Sequence, residues 1–150
     1  MSKQNNSHFY FGSLITSILG AILIVLFDFA GWYNYDSYNA VESWGYVDFS
    51  LQNLLVFPII LIIAGCLFYC AYLSYIGLSS SVKRLDEQQL QFGLITALIA
   101  LVIVLFGGII FIIVMLMDEP TNWWFDIGFF GSIIGSGLTL IFFYLTRSNQ

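Results

Sequence analysis

The chain has 150 residues, of which 59% are hydrophobic and 9% charged, with a formal net charge of −5 and a mean hydropathy of +0.89. That composition lies far outside the range of soluble domains, and four Lys and Arg against nine acids exclude the basic face a nucleic-acid binder needs. Hydrocarbon is the solvent for most of this sequence.

The opening MSKQNNSHFY leads into an apolar stretch at 9–30. The stretch is too long for the apolar core of a signal peptide, and no small-x-small cleavage site follows it, so it reads as an uncleaved membrane anchor. Within it Gly12, Thr16 and Gly20 recur at four-residue spacing, flanked by Ser13, Ser17 and Ala21. In lipid, where no hydrophobic effect drives helices together, such a stripe lets two backbones approach closely. His8, the sole histidine, stands at the start of this span and reads as an interfacial residue.

The second span, 51–78, contains Pro58 and the run GCLFYC, which sets Cys66, Cys70 and Ser74 on one helical face. Two thiols with no further thiolate or imidazole beside them read as small packing residues rather than a metal site. A polar segment at 79–89, SVKRLDEQQ at its centre, connects to the third span, 90–117, where Gly107–Gly108 is a candidate bend. The fourth span, 127–146, carries Gly131, Gly135 and Thr139 on a second small-residue face. Each span has about 20 or more apolar residues, enough to cross a hydrocarbon core of roughly 30 Å as a helix. The expectation is an all-α membrane protein, a single four-transmembrane-helix bundle over 1–150.

All the basic residues, Lys3, Lys83, Arg84 and Arg147, fall before span 1, between spans 2 and 3, or after span 4. The positive-inside rule then puts both termini and 79–89 in the cytoplasm of a multi-pass protein of the cell membrane, and 31–50 and 118–126 outside. Those two outer loops hold acids and rings with no Lys or Arg. Their candidate recognition residues are Trp32, Asp36, Tyr38, Glu42, Trp44, Tyr46, Asp48, Asp118, Glu119, Trp123, Trp124 and Asp126. Trp32, Tyr33, Tyr35, Trp123 and Trp124 stand at span ends, where rings with a polar tip favour the headgroup layer. Should the outer carboxylates converge, their hard oxygen ligands suit Ca²⁺.

No charged group lies well inside a span, which disfavours proton-coupled transport. No phosphate loop, nucleophile motif or carboxylate–histidine cluster is present, so no catalytic residue, metal ligand or cofactor is assigned. FGSLIT in span 1 and FGLIT in span 3 raise a duplication of one hairpin, 9–78 and 90–146. In span number, a longer first outer loop, and the Trp residues of GWYNY and SWGY in that loop, the chain resembles the claudin-type and MARVEL-type tetraspan proteins. The resemblance is one of topology and carries no site residue across. It implies a non-enzymatic protein that organises contacts in the membrane. The expected function is therefore a structural or accessory subunit, with the lipid bilayer and a membrane protein or second copy of this chain as partners. The competing expectation is an oligomeric channel or facilitator for a cation or small neutral solute.

Overall fold

The computed structural model describes residues 6–33, 41–45, 53–79, 85–120 and 122–149, without the side chains of 41, 42 and 53–55. The elements run α1 (Ser7–Leu26), β1 (Ala30–Tyr33), β2 (Val41–Trp44), α2 (Asn53–Ser79), α3 (Glu87–Asp118), β3 (Asn122–Phe125) and α4 (Ile127–Ser148). All four helices are long and apolar enough to cross a membrane, as a multi-pass membrane protein requires. Around the bundle α1 packs on α2 and α4, and α3 closes the ring against the same two helices.

Helix ends follow local chemistry. Asp86 starts α3 with a reciprocal cap: its Oδ1 accepts the Glu87 amide at 2.9 Å while Gln89 Oε1 accepts the Asp86 amide at 3.0 Å. Four residues of the expected 79–89 connection, 86–89, are therefore cap and first turn. At the other end of the bundle α1 stops at Leu26, short of the expected Ala30, because the backbone becomes extended at Phe27 and Ala30 opens a strand. The helices run unbroken through Pro58 and through Gly107–Gly108. Those two glycines seat rings: an added Cβ would lie 3.3 Å from Phe29 at Gly107 and 2.7 Å from Phe129 at Gly108.

The two small-residue faces meet each other. A Cβ on Gly135 would lie 2.6 Å from the Gly20 Cα and 3.0 Å from the Thr16 carbonyl oxygen, so the α1 and α4 backbones touch at this crossing. Thr16 and Thr139 hydroxyls are 3.0 Å apart across it. Gly131 accommodates Leu23, and Gly12 accommodates the Phe142 ring. The Ser and Thr hydroxyls buried along this seam have partners, as lipid-embedded polar groups require. Ser17 and Ser136 each donate at 2.6 Å to the carbonyl four residues earlier, and Ser74 donates to Ser13 at 2.8 Å, joining α2 to α1.

Cys70 is buried and donates to the Gly93 carbonyl at 3.6 Å, linking α2 to α3, whereas Cys66 is half-buried and His8 exposed. An exposed Arg147–Glu87 pair at 3.3 Å joins the α4 end to the α3 start. Lys3, Lys83 and Arg84 lie outside the described residues.

The Gly20–Gly135 contact has backbone on both sides and cannot yield by a side-chain rotation. Gly135→Ala should therefore destabilise the single chain by about 2 kcal/mol, as overpacking of a tight interior does. Gly137→Ala, two residues on with nothing within 4 Å of its added Cβ, should leave stability unchanged or slightly raised. Thermal unfolding of both variants in one detergent checks the contrast.

Candidate functional site

The connecting segments at one end of the bundle are tied into a sheet of order β2-β1-β3, antiparallel throughout. Register sets Trp32 opposite Glu42 on one side and opposite Trp123 on the other, with Ala30 between Trp44 and Phe125. The strands are short, and a backbone clamp holds them to the helices. Phe29 donates its amide to the Trp44 carbonyl at 2.7 Å, and its own carbonyl accepts the Asp126 amide at 3.0 Å. Beside it Gly128 donates to the Asp28 carbonyl at 3.1 Å, and a Cβ at Gly128 would lie 2.6 Å from that oxygen. The α1 exit, the start of α4 and strand β2 are thus one hydrogen-bonded unit.

Strand alternation sorts the rings. Trp32, Trp44, Trp123 and Phe125 turn toward the bundle and surround Phe111 of α3, with centroids 6.1, 5.2, 5.9 and 5.3 Å from the Phe111 ring. Phe111 has no exposed surface. Phe125 stacks on Phe129 at 4.0 Å, and Phe29 meets Phe129 edge-on at 5.1 Å. Edge-to-face pairs of this kind contribute about 0.5–1.5 kcal/mol each beyond the area they bury. The sheet is therefore a lid with an aromatic underside.

This arrangement divides the expected recognition residues between the two faces of the sheet. Trp32, 9% exposed, belongs to the core, and Trp44 and Trp123 pack against that core half-buried. Burial under the sheet removes far more apolar ring surface from water than a place on its outer face would. Trp124 does face outward: its indole lies across Gly31, where a Cβ would approach it to 2.8 Å, and Tyr33 stands beside it at 6.4 Å. Asn122, Asp118 and Glu119 are exposed nearby in sequence. Gly31 is needed here because any side chain would push the indole off the strand.

The acids have separate tasks. Asp126 caps α4, its Oδ1 accepting the Ile127 amide at 2.7 Å. Glu119 closes α3 in the left-handed conformation, φ 46°, with its amide donating to the Met115 carbonyl at 3.1 Å. Asp28 places its carboxylate directly against Gly45. Among the described residues no three of His, Cys, Asp and Glu gather as metal ligands. Asp36, Tyr38, Tyr46 and Asp48, like Tyr35, lie outside the described residues, as does the Glu42 side chain.

Sequence reasoning missed Phe29, Phe111, Phe125 and Phe129 because each sits in or beside a run of other apolar residues. The available signal was their position: all four stand at the same ends of the spans as the tryptophans, where the outer loops meet the helices. A second feature is an apolar cavity of about 130 Å³ between α2 and α3 below the lid, lined by Phe29, Trp44, Val56, Ile63, Ile103 and Gly107 among others. Among the described residues the lid offers ring faces, the Asn122 amide and carboxylates. No family model matches the chain, and no curated protein or solved structure matches it either.

The capping role of Asp126 yields a direct expectation. Asp126→Ala should lower stability by about 1 kcal/mol, while Asp126→Asn, which keeps an acceptor oxygen at the cap, should lose only a few tenths. Paired unfolding curves check it, and equal losses for the two would give the charge, not the cap, the larger part.

Proposed function

We propose that this protein is a non-enzymatic membrane subunit that holds a rigid, sheet-capped surface outside the bilayer for contact with another membrane protein. The observation that carries the reading is the lid itself. Three strands from two separate loops are fixed to the bundle by the Phe29 clamp and the Phe111 ring cluster. A surface held this firmly pays little ordering entropy when it binds, which favours recognition. Trp124, Tyr33 and Asn122, with the exposed Asp118 and Glu119, supply its chemistry. The basic residues at the opposite side of the sequence topology support an orientation with both termini in the cytoplasm and the lid outside.

The competing solute pathway through one chain would have to cross that lid and then a bundle whose buried Ser17, Ser74, Ser132, Ser136 and Thr146 hydroxyls are already bonded to helix carbonyls. Among the described residues no carboxylate stands inside the packed core to attract a cation. An accessory subunit needs neither.

Two measurements on the full chain separate the readings. A photo-reactive aromatic group in place of Trp124 should cross-link in native membranes to one discrete partner band, while the same group at the lipid-facing Ile134 should not. Purified protein in liposomes should pass neither monovalent nor divalent cations above the empty-vesicle rate. Selective, saturable flux without a Trp124 adduct would replace the subunit reading with the channel reading. Cysteine introduced at Ser37 should react with an impermeant thiol reagent in intact cells, and reaction at Ser80 instead would invert the orientation.

A further inference from the structure

The cavity between α2 and α3 has a shape and a depth that identify its occupant. Its walls are Val56, Ile59, Ile60 and Ile63 of α2 and Ile103, Gly107 and Ile110 of α3, with Phe29 and Trp44 closing the end beneath the lid. Water is a poor tenant, since none of these side chains but the Trp44 indole has a polar atom, and a buried water needs two to four partners. Leaving the space empty forfeits dispersion contacts on every wall. Ile59 and Ile110 are half exposed at its mouth, so the cavity opens sideways to the surroundings of the bundle.

Those surroundings are lipid, because α2 and α3 are both long and apolar enough to cross a membrane. Depth then selects among lipid parts. α2 begins at Asn53, and the deepest wall residue on that helix, Ile63, stands about 15 Å below it at 1.5 Å per residue. That equals half of the roughly 30 Å hydrocarbon core, the span of one leaflet. Gly107 creates the room on α3: a side chain there would meet Phe29. Of the neighbouring helix pairs, α2 and α3 are also the least closely packed.

We infer that this cavity is a binding site for a single acyl chain from the leaflet on the lid side, held between α2 and α3 with its end toward the bilayer midplane. The chain completes the packing under Phe29 and Trp44, and so becomes part of the support of the lid. The site differs from the ordinary lipid-facing surface in being walled on both sides and closed at one end.

The test uses the full chain in vesicles of dioleoylphosphatidylcholine, titrated with the same lipid brominated on its acyl chains. Bromine quenches tryptophan at contact, and the Trp44 share of the emission is the difference between the wild type and Trp44→Phe. Loss of most of that share, falling in direct proportion to the brominated fraction as one exchanging site requires, is the expected result. The double variant Val56→Phe, Ile103→Phe fills the cavity and should abolish the quenching of the Trp44 share. Trp44 emission indifferent to bromine would overturn the inference, giving the cavity to a protein segment or to nothing. Quenching that runs well ahead of the brominated fraction, steep at its first additions, would overturn it equally, as casual contact with several bulk lipids at once. Should the filled variant fail to fold, the wild-type and Trp44→Phe titrations decide the matter alone.

Discussion

The contact of the α1 backbone at Gly20 with the α4 backbone at Gly135 is the constraint on which the rest depends. Without a hydrophobic effect to gather helices in lipid, two small-residue faces supply the contact, and the Thr16–Thr139 hydroxyl pair fixes their register. Because these helices lie so close, the residues leaving α1 emerge beside those beginning α4. The Phe29 carbonyl is then within reach of the Asp126 amide, and the Asp28 carbonyl within reach of Gly128. β1 and β3, distant in sequence, become neighbours by consequence of a helix crossing.

Sheet and bundle then stabilise each other. A pair of four-residue strands has little stability alone, and even a third strand needs an apolar face to pack on. The ring of Phe111 rising from α3 provides that support, with Trp32, Trp44, Trp123 and Phe125 around it. The strands in turn cover ends of helices that would otherwise leave rings at the water boundary. Between α2 and α3 the packing is looser, and lipid hydrocarbon fits the space the protein leaves.

Much of the bundle was legible in the sequence, for a plain reason. A run of twenty apolar residues has one stable solution in lipid, and Gly12, Thr16 and Gly20 against Gly131, Gly135 and Thr139 are local repeats that can be counted. The strands were not legible. AGWY, VESW and NWWF are four residues each, too short for alternation to show, and the first and last of them pair across about ninety positions of sequence. The tryptophans misled for a related reason: a ring at a span end satisfies an interface reading and a core reading equally, and only the strand register separates Trp32 and Trp123, inside, from Trp124, outside. Pro58 and Gly107–Gly108 show the same ambiguity. α2 and α3 stay helical through them, and Gly107 and Gly108 also seat phenyl rings.

If the lid depends on the α1–α4 crossing, a disturbance at Gly135 must reach the strands, about 12 Å away along α4. Amide hydrogen exchange resolved at β1 and β3, compared between the wild type and Gly135→Ala in the same detergent, measures this directly. The expected result is strand amides protected in the wild type to the level of the neighbouring helix ends, and losing that protection in the variant while mid-helix amides of α3 keep theirs. Strand amides that exchange as open loop in the wild type, or that keep full protection in the variant, would contradict it.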